Sequence, residues 1–374
     1  MSNKGFTVTP WEVKGEVDYD KLIREFGTQP LDEEILRRVE KHTGILHLLF
    51  RRKVFFSHRD FDWILDKYEE GETFALYTGR GPSGHTHIGH LVPWILTQHL
   101  QEKFGAELYF QMTDDEKFLH DPTLNLETSV HFTYENALDV ISCGFEKGKT
   151  FIFSDIHYAK TLYGIAVQVA KHITTSTIKA VFGFTDSTNI GMVFFPAIQA
   201  VPCFLPSILK GRNIPVLIPA AIDQDNYWRG VAREVAPKLG FYKPAQLHSK
   251  FLPGLGKGGK MSASEPETAI YTVDSPEVAL KKIMYAYTGG RATVEEQRKL
   301  GGQPDICPVY SYYHMLFEPD DKILYEVYTS CKSGSLLCGE CKSRLGEKVK
   351  AFLAEHQKRR EKAKDHLQEY IIKD

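Results

Sequence analysis

The sequence predicts an α/β protein: a Rossmann-type, doubly wound parallel sheet followed by an all-helical region. Three observations carry that prediction. Short β-rich runs alternate with long helical stretches between about residues 71 and 289. A glycine-rich turn, GRGPSGHTHIGH at Gly79–His90, stands where the first of those runs gives way to a helix. From about residue 290 the strand signal fades and helical periodicity remains.

Taken in order, residues 1–70 are mixed and charged and read as an N-terminal extension packing on the sheet domain. Within them DYDKLIREFG and DEEILRRVEKHTG read as short helices. Across residues 71–289 the strand candidates are TFALYT, AELYFQM, TFIFSD and IPVLIPA. HIGHLVPWILTQHLQEKF, NLETSVHFTYENALDVISCGF and TLYGIAVQVAKHITTSTIKAVFG lie between them with apolar residues at helical spacing. Strand, crossover helix, strand is the pattern of a parallel sheet covered on both faces. In residues 290–374, ATVEEQRKL, PVYSYYHMLF, DKILYEVYTS and EKVKAFLAEHQKRREKAKDHLQEY read as helices. No internal repeat or low-complexity segment interrupts the chain.

Composition narrows the function classes. The chain has 374 residues, with 42% apolar and 25% charged residues, which is ordinary for a globular protein. A net charge of −2 excludes polyanion binding through overall charge, so any nucleic-acid contact needs a local patch, and DNA is not an expected partner. No run approaches the roughly 18 apolar residues of a membrane span. The N-terminus MSNKGFTVTPWEVKG lacks a signal core, so a cytoplasmic location is expected.

In a doubly wound sheet, ligands bind where strands end and helices begin, and the Gly79–His90 turn lies there. Gly79, Gly81 and Gly84 permit a tight turn with exposed backbone. The helix that begins there offers free N–H groups and a positive dipole end. His87 and His90, three apart, can converge on one ligand, and Gly89 between them lets a ring or sugar approach the backbone. Such a site suits a nucleoside triphosphate. The plainer reading is a capped helix with two surface histidines. The stretch matches neither the dinucleotide fingerprint nor a P-loop.

A second element stands some 170 residues downstream. GLGKGGKMSASEP sets Lys257 and Lys260 among glycines, with Ser262 and Ser264 following. Mobile cationic loops of this kind can close on phosphate and stabilise charge on a leaving group. Alone, it could equally be a solvated turn.

Together, HIGH at His87–His90 and KMSAS at Lys260–Ser264 resemble, in order and separation, the paired motifs of the class I aminoacyl-tRNA synthetases. YTGRGPSG at Tyr77, QMTDDEK at Gln111, FPAIQA at Phe195 and AIDQDNYWR at Ala221 are similar to tryptophanyl-tRNA synthetases of eukaryotes and archaea. PWEVKGEVDYDKLIREFG and FFSHRDF point to the eukaryotic cytoplasmic type. The likeness covers nearly the whole chain.

The resemblance implies ATP-dependent activation of L-tryptophan, then transfer to the 3′ end of tRNA(Trp), by a homodimer. It places Arg80, His87, Gly89, His90, Lys260, Met261 and Ser262 on ATP, with His87, His90, Lys260 and Ser262 as the catalytic set. It places Tyr77 and Gln111 at the indole nitrogen. Glu116, Gln199 and Gln224 fall at the amino and carboxyl end, with Glu116 facing the ammonium and Lys117 the carboxylate. An indole offers one N–H and a large apolar face, so its pocket needs one buried acceptor. Magnesium would arrive with ATP, and no tightly bound protein metal is expected.

The implied role of the C-terminal region is anticodon binding. HQKRREKAKDH is the densest basic run, and Lys358, Arg359, Arg360, Lys362 and Lys364 could meet phosphates, or simply form a solvated helix face. SCKSGSLLCGEC departs from the family. Cys338 and Cys341 have metal-ligand spacing, and Cys331 or His314 could assist, but a fourth ligand at conventional spacing is missing, so packed thiols are expected. Two further readings stand beside the tryptophan enzyme: a tyrosyl-tRNA synthetase, and a synthetase-like protein that binds RNA or protein without catalysis.

Overall fold

Seven strands form one mixed sheet in the order β3-β4-β9-β8-β5-β6-β7. They are β3 (Gln29–Pro30), β4 (Phe55–Arg59), β5 (Ala75–Arg80), β6 (Glu107–Met112), β7 (Thr150–Ser154), β8 (Val216–Ala221) and β9 (Ala245–Ser249). A separate antiparallel pair, β1 (Thr7–Val8) and β2 (Val13–Lys14), precedes them. The computed structural model describes residues 7–8, 13–14, 18–262 and 265–374; parts of the PWEVKGEVDYDKL stretch and Ser264 of the KMSAS motif lie outside the described residues.

The five strands β9, β8, β5, β6 and β7 run parallel. Their residues alternate between two buried faces. Leu76, Leu108, Phe110, Met112 and Ile152 point to one core, while Ala75, Tyr77, Tyr109 and Phe153 point to the other. The helix Ile88–Phe104 packs in the first core. Helices Ala159–Ala170, Thr175–Phe182 and Ile190–Ala200 pack in the second, which gives the doubly wound arrangement.

The four predicted strands are β5 to β8. Three others were not legible. β3 and β4 come from the segment before residue 71 and pair antiparallel, so the charged N-terminal segment contributes strands to the sheet as well as packing on it. β4 and β9 carry buried polar side chains that mask the strand pattern. Ser57 Oγ meets His248 Nδ1 at 3.1 Å, His248 Nε2 lies 3.4 Å from Asp225, and Arg59 Nε donates to Asp225 at 2.7 Å. Burial alone would raise the Asp225 carboxyl, but His248 and Arg59 hold it well below its ordinary range. The run TLYGIAVQVAKHITTSTIKAVFG is two helices, because Thr174 caps the second by accepting from Thr177 N.

The predicted N-terminal helices form as Tyr19–Phe26 and Glu33–Thr43. Asp18 and Asp32 cap their starts, and Gly27 and Gly44 end them in the left-handed conformation. C-terminal to the sheet come the helices Pro276–Tyr285, Val294–Leu300, Asp321–Ser333 and Cys338–His366. The last crosses back over the first core. His356 meets Asp139 at 2.9 Å, and Arg360 pairs with Asp139 at 2.6 Å and Glu135 at 3.0 Å. Arg360 is buried, so it joins the helix to the sheet domain and is not available to RNA phosphate as the sequence suggested. Lys358 and Lys362 are exposed, while exposed Arg359 and Lys364 pair with Glu355 and Glu361. Beyond this helix, Ile152 N donates to Tyr370 O and Ile372 N to Ile152 O, both at 2.8 Å, which covers the β7 edge. Among the described residues no helix is long and apolar enough to cross a membrane.

Candidate active site

The carboxyl ends of β5, β6, β8 and β9 open onto a cavity of about 380 Å³. Thr78–Gly81 at the end of β5, Thr113, Glu116 and Lys117 after β6, Ala220, Ala221, Asp223 and Gln224 at the end of β8 and Ser249–Leu252 at the end of β9 reach it from below. The start of the helix Ile88–Phe104 forms one wall, and Lys260–Ser262 stands opposite. Parallel strands place their ends at one edge, so segments far apart in sequence meet there.

The glycine-rich turn is shaped by close approach. A Cβ at Gly79 would sit 2.7 Å from the Gln111 carbonyl oxygen on β6, so a side chain cannot fit there. At Gly89 a Cβ would stand 3.1 Å from His87 Nδ1 and 3.5 Å from Met261 Cβ, which leaves the backbone bare between the histidines and the opposite loop. His87 N donates to His90 Nδ1 at 3.2 Å, and the rings stack at 3.6 Å. Burial, Arg80 and Lys260 push the His87 imidazole down to about 3, and burial, Arg80 and His87 push His90 well below its ordinary value. Both rings are therefore neutral near pH 7 and can donate one hydrogen bond each without adding charge. Burial lowers Arg80 to about 10, and it stays a cation beside them.

The lysine loop is tied to this turn. Thr272 N donates to Thr86 O, Ile88 N to Ile270 O and Met261 N to Leu252 O, each at 2.9 Å. Beyond those ties the loop turns through Gly258 and Gly259, both at positive φ, with Lys257 exposed at its tip. Lys260 Nζ pairs with Asp223 at 2.8 Å and lies 5.5 Å from the Phe251 ring centre. Asp223 is 4% exposed, and its Oδ1 has no hydrogen-bond partner among the described residues. The sequence reading did not single out Asp223, although an acid just past a strand end, inside AIDQDNYWR, was a usable signal.

At the other end, Glu116, Gln199 and Gln224 line the cavity. Glu116 pairs with Lys117 Nζ at 2.9 Å and accepts from Thr113 Oγ1 at 3.3 Å, so an amino-acid ammonium and carboxylate could exchange into that pair. Tyr77 and Gln111 are brought together but lie fully buried behind the wall. Tyr77 Oη donates to Gln111 Oε1 at 2.5 Å and accepts from Gln199 Nε2 at 2.7 Å. Gln111 Nε2 donates to both Asp155 oxygens, at 2.9 and 3.0 Å, which turns its carbonyl oxygen towards Tyr77. Trp228 lines the cavity edge-on to Tyr77, with ring centres 5.9 Å apart. Asp155, at the β7 end, and Trp228 were also missed. Burial and the neighbouring Asp115 and Asp114 push the Asp155 carboxyl well above its ordinary range, and burial raises Asp115 to about 7.

Comparison with known proteins decides the family. Residues 69–354 match the family model for class I tRNA synthetases (W and Y). The chain is 56% identical, over 98% of both chains, to a tryptophan–tRNA ligase of Pyrobaculum calidifontis. It is 55% identical to one of Pyrococcus abyssi, over 98% of this chain and 94% of the relative. The chain belongs to the tryptophanyl-tRNA synthetases of class I. The fold agrees: the Plasmodium falciparum tryptophanyl-tRNA synthetase superposes with a TM-score of 0.88 at 38% identity, covering 95% of this chain and 97% of that one. A structure of the Encephalitozoon cuniculi enzyme bound to tryptophan superposes at 0.87 with 36% identity, covering 96% and 98%. The expected eukaryotic cytoplasmic type is not upheld, since the relatives at 53–56% identity are archaeal.

Proposed function

We propose that the cavity binds ATP and L-tryptophan side by side and forms tryptophanyl-adenylate, which then acylates the 3′-terminal ribose of tRNA(Trp). Ligation of tryptophan to tRNA is the activity of the family. The observation that carries the detailed reading is one cavity lined by His87, Gly89 and His90, by Lys260–Ser262 opposite, and by Glu116, Gln199 and Gln224 at its far end.

In the first step a tryptophan carboxylate oxygen bonds to the α-phosphorus of ATP, and the bond to the bridging oxygen breaks as pyrophosphate leaves. No protein nucleophile is required, so positioning and charge stabilisation do the work. The neutral histidines and the bare backbone at Gly89 hold the nucleotide, and Arg80 faces its phosphates. Lys260 leaves Asp223 and moves onto the phosphates as charge develops on the leaving group. Magnesium travels with ATP as part of the substrate. Gln111, oriented by Asp155, presents its oxygen beside Tyr77 for the indole N–H once Gln199 and Trp228 shift. Glu116 takes the ammonium, and Lys117, released from that pair, faces the carboxylate.

Three further assignments belong to this reading. The exposed Lys358, Arg359, Lys362 and Lys364 support RNA contact by the last helix. Exposed Tyr163, Val167 and Ile190, on the helices Ala159–Ala170 and Ile190–Ala200, support a homodimer face. The site of action is the cytosol, where tRNA is charged.

ATP–pyrophosphate exchange with tryptophan, tyrosine and phenylalanine tests the proposal. An unpaired buried acceptor costs about 1–3 kcal/mol, so together with lost ring contacts tryptophan should lead by at least about a hundredfold in kcat/KM. A preference for tyrosine would overturn the pocket assignment. Absence of exchange with all three would favour the non-catalytic reading.

A further inference from the structure

The glycine-rich turn and the lysine loop meet at one short segment, residues 269–274, and the last helix holds that segment. The lysine loop closes where Leu255 N donates to Thr268 O at 2.8 Å, and the chain then runs alongside Thr86 to Ile88. His87 pairs antiparallel with Tyr271. Thr86 O accepts from Thr272 N at 2.9 Å and from Thr272 Oγ1 at 3.1 Å, and both threonines are fully buried. The position of this segment therefore sets both where His87 lies and where the lysine loop ends.

Two side chains fix the segment from outside. Lys282, on the helix Pro276–Tyr285, donates to Ala269 O at 2.8 Å and to Asp274 Oδ2 at 2.7 Å. The same oxygen accepts from Tyr271 N at 2.9 Å. Gln357, on the helix Cys338–His366, reaches the segment from 83 and 85 residues away in sequence. Its Nε2 donates to Thr272 O at 2.9 Å and to Asp274 O at 2.8 Å. An amide nitrogen carries two N–H groups, and here both are spent on backbone carbonyls of one turn.

The helix presents Gln357 from a fixed base. His356 and Arg360 are anchored on Asp139 at 2.9 and 2.6 Å, and Arg360 also on Glu135 at 3.0 Å. The helix that carries those two acids, Leu126–Ser142, sends Asn136 Nδ2 to Gly84 O at 3.1 Å. One turn of the last helix thus grips the glycine-rich turn by two routes. The Asn136 route ends on the glycine-rich turn, whereas the Gln357 route ends on the segment shared with the lysine loop.

We propose that Gln357 is a positioning residue for adenylate formation: its amide fixes residues 271–274 and so sets the separation of His87 from Lys260. This rests on reading the cavity as the adenylate site. Gln357 does not line that cavity and acts through Thr272 and Tyr271. The separation matters most in the transition state, when Lys260 meets phosphates held at His87. The tryptophan end stands on β5, β6 and the helix Ile190–Ala200, away from this segment.

The test is pyrophosphate exchange, active-site titration and calorimetric ATP binding on wild type, Gln357→Met and Gln357→Lys. Methionine keeps the length without the donors, while a lysine ammonium can donate to the same two carbonyls. Gln357→Met should lower kcat per titrated site by roughly tenfold to a hundredfold and weaken ATP binding by about threefold, as a misplacement of about 1 Å would. KM for tryptophan should stay unchanged, and Gln357→Lys should recover most of both losses. A role in folding alone would lower the melting temperature and the number of active sites, but not kcat per site or ATP affinity. That outcome would overturn the proposal, as would equal losses in the two variants or a matching rise in KM for tryptophan. Wild type that binds ATP but exchanges no pyrophosphate with any amino acid would refute the adenylate reading. ATP affinity would then decide the role of Gln357, and an unchanged value in Gln357→Met would overturn it.

Discussion

The two ends of the active-site cavity are made differently. The end formed by His87–His90 and Lys260–Ser262 uses a helix start and a loop, with glycines keeping backbone bare. Its cation, Lys260, is parked on Asp223, and the proposed reaction has it change partner. The end behind Gln199 uses two strand residues, Tyr77 and Gln111, in a chain of buried hydrogen bonds from Gln199 on a helix to Asp155 just past β7. One end is arranged to move with charge, and at the other only Gln199 and Trp228 shift while Tyr77 and Gln111 stay held from behind by Asp155. Motion suits a transferable phosphate substrate, and rigidity suits discrimination.

Lys260→Ala should break the mobile end most severely. Losing one electrostatic stabiliser of the transition state lowers kcat for adenylate formation by roughly tenfold to a thousandfold, with KM for tryptophan little changed. Stopped-flow or exchange kinetics reads both, and full activity would remove Lys260 from the chemistry. At the rigid end, Gln111→Ala should raise KM for tryptophan by roughly tenfold to a hundredfold and narrow the preference over tyrosine and phenylalanine. ATP binding should hardly change. If the variant keeps the whole preference, selectivity comes from ring packing instead. Gly89→Ala forces a Cβ to 3.1 Å from His87 Nδ1, and about 1 kcal/mol of overpacking would raise KM for ATP by roughly fivefold. An equal rise in KM for tryptophan would show that the two ends are not separable.

The smallest effect is in pH dependence of stability, where the ends should oppose each other. His87 is depressed to about 3, so between pH 6.5 and 3 the unfolded chain binds a proton that the folded chain does not, and stability falls with acid. Asp155 is raised and Asp115 lies at about 7, so from about pH 4 upward the folded chain holds a proton that the unfolded chain has lost. Their contribution is lost as pH rises through that window. Urea midpoints across pH 4.5–7.5 should become less acid-sensitive in His87→Asn, and Asp155→Asn should remove the loss on raising pH. Changes of the same sign in both variants would refute the contrast.

The mobile end was legible because bare backbone and helix starts demand particular residues at fixed spacing, so His87, Gly89, His90 and Lys260 stood out as short strings. The rigid end was legible only in part. Tyr77 and Gln111 were found through resemblance, but nothing local announces that Asp155 sets the orientation of the Gln111 amide. Asp223 was hidden for a similar reason, since its role exists only through Lys260, 37 residues away in sequence.

By itself the sequence determined the parallel strands β5 to β8, the helices between them, the helical C-terminal region and the position of the glycine-rich turn. Each of these comes from periodicity, from glycine at a forced turn, or from chain order across a right-handed crossover, all of which are local. The tertiary structure alone decided that the polar segments β4 and β9 join the sheet, since their burial is stabilised by partners such as Asp225 and Arg59 from other elements. It decided that Arg360 faces Asp139 and not solvent, and that Cys307 joins three thiols more than twenty residues further on. A buried charge or thiol takes its character from what surrounds it, and those surroundings are assembled only when distant segments pack.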